Sequence, residues 1–434
     1  MKRPRLAFAL LQSVLWALTA TTVCGTPAEL SPERLVLTPL AGDSEEMGEL
    51  RIWQARARRP DAIAADFERL GWAFIALARR TLDEGSYGLA LAAAEAATSR
   101  FGASPGIQLL RGHALHNLHR FEEAEAVARD LVAERRAARD YALLGDVLLE
   151  HNDLEDSVSA TQMFVNRLPG FEAFARVAHL RWLHGDTAGA IAAMREAIRA
   201  GDVRAMEPQA WALTRLANLY LADARPTAAL DAANQALDRM PGYPPALLAL
   251  GRARLALGTG AEAVEALRSA AEANPLPEYQ WWLADALKQS GAGEEAAKVI
   301  DEIVSHGPQS DPRTASLFLS TAGIEPDEAL RLASAEFAHR KDVHTEDALA
   351  WALYRNGRIQ ESVPHARAAL RTGIADARIL LHAGIILGAS GLEEDQARLL
   401  EKARVLDASL TPSERTLLSA TFASPVVPGT PDSF

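Results

Sequence analysis

Three imidazoles stand at H-x-x-H-x-x-H spacing in GHALHNLHR (112–120): His113, His116 and His119. On a helix, two histidines three residues apart can meet one metal ion, and histidine titration near neutral pH can make binding proton-linked. The third imidazole drifts about 120° around the helix axis, so the row does not close a metal site by itself. Solvated surface histidines are the competing reading. A second group gathers in DALAWALYRNGR (347–358). Wound as a helix, Leu349, Ala350 and Leu353 share one side and read as core, while Asp347, Trp351, Tyr354 and Arg355 share another. Trp, Tyr and Arg offer large rigid area with a polar handle, the kind of side chain that dominates recognition energies.

Catalytic signatures are missing from the chain. It contains no G-x-S-x-G, no P-loop and no H-E-x-x-H. The acidic pairs Glu122-Glu123, Glu294-Glu295 and Glu393-Glu394 fall where second helices begin, and complementing the helix dipole is reason enough for them. The one cysteine, Cys24, excludes a disulfide scaffold and, in the folded part, a cysteine nucleophile. The expectation is a non-enzyme without a cofactor.

What positions the two groups is a repeat. A small residue (once Gln) recurs at Ala90, Ala124, Ser157, Ala190, Ala229, Ala263, Ala296, Ala329, Ser362 and Gln396, at intervals of 33 or 34 with a single step of 39. Twelve residues upstream of each lies Ala78, Gly112, Gly145, Ala178, Ala217, Gly251, Ala284, Leu317, Ala350 or Gly384, small in every case but Leu317. Five upstream, where a turn must reverse the chain, stand Gly185, Gly258, Gly291, Gly357 and Gly391, with Asn152 in the same role. Twelve downstream, Pro169, Pro241, Pro275 and Pro308 are placed to stop the second helix. Each unit reads as helix, short turn, helix, with small residues where the two helices cross.

The array resembles tetratricopeptide repeats, most closely in LLALGRARLALGTGAEAVEALRSAAEANP (247–275) and QWWLADALKQSGAGEEAAKVIDEIVSHGP (280–308). The resemblance covers about residues 70–408, ten units. It departs at an insertion near AGDVRAMEPQ (200–209) and in the eighth unit, where bulky Leu317 predicts irregular packing. It implies an all-α solenoid, a right-handed superhelix whose first helices line a concave groove. Carried across residue by residue, it places Trp72, Trp182, Trp211, Trp281, Trp351 and Tyr354 on groove-facing positions, with Arg79, His113, His116, Asp347 and Arg355 among their polar neighbours. Under that reading, changing Trp351, Tyr354 and Arg355 together to Ala abolishes partner capture and leaves helicity intact. Basic groove residues are scattered among acids, so no clamp for a terminal carboxylate is visible.

Organisation along the chain follows. Residues 1–25 read as a secretory signal, with Lys2, Arg3 and Arg5 before an apolar run from Leu6 to Val23. An uncleaved membrane anchor, or a lipid on Cys24, are the alternatives. Residues 26–44 read as an extended lead-in, 45–410 as the solenoid, and 411–434 as a capping helix, with Thr411 before Glu414 as its start signal, followed by a mobile tail. The net charge of −12 disfavours nucleic acid and anionic lipid as partners. The expected role is a protein- or peptide-binding scaffold of the periplasm or cell envelope. A structural part of an envelope assembly held by its convex face, and metal or small-ligand binding by the His113/His116 row, are the alternatives.

Overall fold

The computed structural model describes residues 31–39 and 47–423; the expected signal and tail lie outside the described residues. Within them the regular structure is entirely helical. Two short helices, Pro32–Leu37 and Gly48–Ala57, precede ten helix pairs. The first of these corrects the extended lead-in: Ser31 caps it by accepting from the Arg34 amide, and proline opens it.

The ten units, in order, are Ala64–Thr81 with Gly85–Phe101, Pro105–Asn117 with Phe121–Glu134, Ala138–Glu150 with Leu154–Arg167, Phe171–Leu183 with Thr187–Ala200, and Met206–Ala222 with Pro226–Arg239. Then come Pro244–Ala256 with Gly260–Ala273, Pro277–Gln289 with Gly293–Ser310, Pro312–Ala322 with Pro326–His339, Val343–Arg355 with Ile359–Ala369, and Ala377–Ala389 with Glu393–Val405. A last helix, Pro412–Ala423, closes the described chain. The step of 39 is absorbed between Ala200 and a lengthened first helix of unit five.

The crossing points hold as the repeat requires. Of the ten recurring positions from Ala90 to Gln396, all but Gln396 are at most 1% exposed. A Cβ on Gly251 would stand 2.5 Å from Leu267 Cγ, so the helices of unit six touch where that side chain is missing. The turn positions hold too: the five predicted glycines have φ between 73° and 90°, and Asn152 has φ 65°. Two units place an ordinary residue there instead, His119 and Ala224, both with positive φ. In unit eight the small residue at the crossing is Ser316, one position before Leu317, and its hydroxyl donates to the Ala329 carbonyl at 2.7 Å. Gly323 ends that helix with φ 68°, one residue earlier than the repeat phase predicts. Pro308 does not stop its helix, which runs on to Ser310.

Stacked units also meet their distant relatives. The Lys341 amide donates to the Glu150 carbonyl at 2.9 Å, across 191 residues. Arg371 donates to the Asn152 carbonyl, and Arg79 pairs with Glu207 at 3.2 Å. Leu149, Trp182, Leu183, Val343, Ala369, Leu370, Ile374 and Ile379 form one small apolar cluster that joins units three and four to units nine and ten. The superhelix thus winds tightly enough for its successive layers to seal against each other.

Candidate partner-binding site

First helices lie side by side from unit one to three and from unit five to ten, and that of unit four joins the two stretches through Arg176 to Asp146 and Phe171 to Trp211. Charged and aromatic side chains pair along this inner wall from unit to unit. Trp72 meets His113 edge-on at 5.3 Å. Asp146 takes a fork of two bonds from Arg176, at 2.8 and 2.6 Å. Glu150 is held by Arg340 at 2.6 Å, and Arg340 also reaches Asp342 at 2.7 Å. Trp182 stacks on His344 with ring centres 5.6 Å apart. Burial is the first cause of lowered titration points along the wall. It pushes His113 down to about 3 against the pull of Asp146, and His179 down to about 3 with help from Arg215. His116, His119 and His344 are lowered for the same reason. These imidazoles are neutral at pH 7.

The histidine row does not act as one group. His113 faces Trp72, His116 points to Glu150 at 3.8 Å, and His119 stacks on Phe121. Among the described residues no three His, Cys, Asp or Glu side chains gather as metal ligands would. His116 and His119 instead line a cavity of about 250 Å³ with Glu84, Tyr87, Asn117, Phe121, Glu150 and Arg340.

The stripe at 347–355 answers to its neighbours as well. Trp351 is fully buried and Tyr354 is 1% exposed, so neither stands free in a groove. The Trp351 indole donates to Thr321 Oγ1 at 3.1 Å and stacks on His382 with ring centres 4.2 Å apart. Asp347, also buried, accepts from or pairs with His382 Nδ1 at 3.1 Å. The Arg355 guanidinium lies 5.7 Å above the Trp351 ring. The second face of this helix is therefore the seam between three successive first helices. Trp281 is buried too, which corrects its expected exposure; Trp72, Trp182 and Trp211 are half-buried in the wall. Arg79, exposed, reaches Glu207 on unit five.

What covers Trp281 is the chain's own end. After Val405 a short turn, Asp407–Ser409, crosses to the first helices of units five and six. Pro412–Ala423 then lies against the first helices of units seven, eight and ten. The start signal read from the sequence is present: the Glu414 amide donates to Thr411 Oγ1 at 3.3 Å, and the Thr411 amide donates to Glu414 Oε2 at 2.8 Å. Four wall residues grip that helix start. Asp285 accepts from the Ser413 amide at 2.9 Å, and the Trp281 indole donates to Ser413 Oγ at 3.2 Å. Arg252 donates to the Ser409 carbonyl at 3.4 Å. Arg378 forks onto Glu414, whose side chain is fully buried, and its guanidinium lies 4.9 Å above the Trp281 ring. Burial opposes both charges, but each partner outweighs it. Glu414 is held below the usual carboxylate range and Arg378 above its ordinary value. Asp285, by contrast, is raised by burial despite the Ser413 bonds. The repeat phase already sets Arg252, Asp285 and Arg378 on the same face as Trp281; what it does not show is their convergence on one segment, which lies more than 120 residues from Asp285.

A family model described as "Tetratricopeptide repeat" matches residues 214–276 and 248–311. No curated protein matches the chain. Among solved structures, the chain is similar to MamA at 20% identity, covering 39% of this chain and 92% of that one with a TM-score of 0.32. It is similar to the human IFIT1 dimer with PPP-AAAA at 12% identity, covering 87% and 100% with a TM-score of 0.47. It is also similar to YrrB, described as a TPR protein with an unusual peptide-binding site, at 14% identity, covering 42% and 92% with a TM-score of 0.31.

Proposed function

Because the chain is a tetratricopeptide-repeat protein, we propose that it is a non-catalytic scaffold that takes a partner polypeptide on the inner wall of its C-terminal half. One observation carries this reading: the wall of Arg252, Trp281, Asp285 and Arg378 already seats a helix with matched charge and hydrogen bonds. An inner surface that can satisfy a buried carboxylate and orient a helix start has the chemistry to select a polypeptide segment. In the earlier half of the array the layers meet each other instead, through Glu150, Arg340 and the cluster around Leu183. The basic residues Lys2, Arg3 and Arg5 before an apolar run support export to the cell envelope as the place of action.

The test is photo-crosslinking in the native host, with the probe at Lys288 on the first helix of unit seven and a control probe at Lys298 on its second helix. A partner that crosslinks from Lys288 and not from Lys298 supports the inner wall. Crosslinks confined to Lys298 contradict it and favour a scaffold held by its outer face. Recovery of the chain solely from cytosol with its first residues intact would refute export.

A further inference from the structure

The seated helix shows what the wall reads. Three features of its start are used, and each belongs to a helix N-terminus. The Ser413 amide, a donor that a helix leaves without an internal partner, is taken by Asp285. The Ser413 hydroxyl accepts from Trp281, and the Glu414 carboxylate is shared between Arg378 and the Thr411 amide. Pro412 stands where a helix tolerates proline best, fixing the backbone for those bonds. Beyond the start, Leu417 and Leu418 join the apolar cluster that holds Trp281, Phe318 and Trp351. Thr411 and Glu414 are fully buried, so the motif is read, not merely touched.

We infer that this wall is a receptor for helices that begin Ser/Thr–Pro–Ser–Glu and continue with a leucine pair, and that the chain's own residues 407–423 occupy it in cis. This deepens the scaffold reading and rests on it. A partner bearing the same helix start gains the wall only by displacing the terminal helix, so binding in trans is a competition against a tethered copy of the motif. A tethered segment competes at the high effective concentration of an intramolecular ligand.

The probe is a fluorescent peptide of residues 405–423, titrated against the full-length chain. Wild type is expected to bind it weakly. Glu414→Arg in the full chain sets a second cation against Arg378 and unseats the terminal helix. That variant is expected to bind the native peptide at least about tenfold more tightly than wild type does, because the tethered competitor is gone. A peptide carrying Glu414→Gln is expected to bind the opened chain about 30-fold or more weakly, since Arg378 is left buried without its carboxylate. The charge swap Arg378→Glu with Glu414→Arg is expected to reseat the helix and abolish the gain. Melting curves and helicity of both variants report folding. If Glu414→Arg alone fails to fold, Glu414→Gln in the full chain takes its place: it must bind the native peptide more tightly than wild type does, and no gain overturns the inference. The inference is overturned if the opened chain ignores the peptide, if Glu414→Gln in the peptide changes nothing, or if sedimentation shows a wild-type dimer whose wall is filled by a second copy. In each of these outcomes, partner crosslinks from Lys288 would leave the scaffold reading standing, which separates the two.

Discussion

At the scale of single residues, burial reverses the expected role of the aromatic stripe. An exposed recognition surface loses its partner but not its stability when truncated, whereas Trp351 stacks on His382 and Tyr354 and donates to Thr321. Trp351→Ala should therefore destabilise the chain by roughly 3–5 kcal/mol, read as a fall in the denaturation midpoint. Helicity unchanged and stability unchanged would contradict its place in the seam. The stripe was legible in the sequence as a face. Its burial was not, because a periodic pattern reports which residues share a side and says nothing about what lies opposite. The histidines give a second expectation. His113 is surrounded by Asp146, Arg176, His116 and Arg139, and His179 by Arg215, His344, Asp146 and Asp342; both protonate in the folded chain only near 3. In the unfolded chain they take up a proton at the ordinary value of about 6.5, so acid favours unfolding. Their stabilising contribution is complete above about pH 6.5 and is lost as pH falls toward 3. His113→Gln with His179→Gln should flatten the dependence of Tm on pH between about 6.5 and 4. An unchanged slope would contradict neutral buried imidazoles.

At the scale of elements, local signals decided most of the outcome. Glycine with positive φ marks the five predicted turns and, at Gly323, a sixth, and small residues mark every crossing position but Leu317 in unit eight and Gln396 in unit ten. His119 and Ala224 hold the same left-handed turn without a glycine, so composition alone could not flag them. In unit eight the earlier helix end at Gly323 moves the crossing to Ser316, a shift that a fixed spacing cannot register. Gln396, the bulky exception among the recurring positions, fits because Gly388 leaves room: a Cβ there would stand 2.3 Å from Gln396 Cδ. The crossing in unit six offers a direct check. Gly251→Val drives a branched side chain into Leu267 and should cost about 1–3 kcal/mol, measured by denaturant unfolding. A neutral effect would mean the helices cross less closely than 2.5 Å from that Cβ to Leu267 Cγ implies.

At the scale of the whole molecule, two long-range events shape the inner wall, and neither is written in any local window. One is the sealing of layers. Gly185 has φ 75°, and a Cβ on it would stand 2.4 Å from the Gly373 carbonyl oxygen of the facing layer. Gly185→Ala should lower stability by about 1–3 kcal/mol and increase the radius of gyration in solution scattering. The other event is the return of the terminal helix. Its capping pair, Thr411 and Glu414, could be read from the sequence; its landing place on Asp285 and Arg378 could not, since it arises from winding that brings units five to eight beneath the last unit. The first-turn amides of an exposed helix exchange readily with solvent because nothing inside the helix accepts from them. Residue-resolved hydrogen exchange at Ser413 in the full-length chain is therefore the decisive measurement. A helix seated on the wall predicts slow exchange at that amide in wild type and at least about tenfold faster exchange in Arg378→Gln. Exchange as fast as in the free peptide, unaltered by Arg378→Gln, would contradict it.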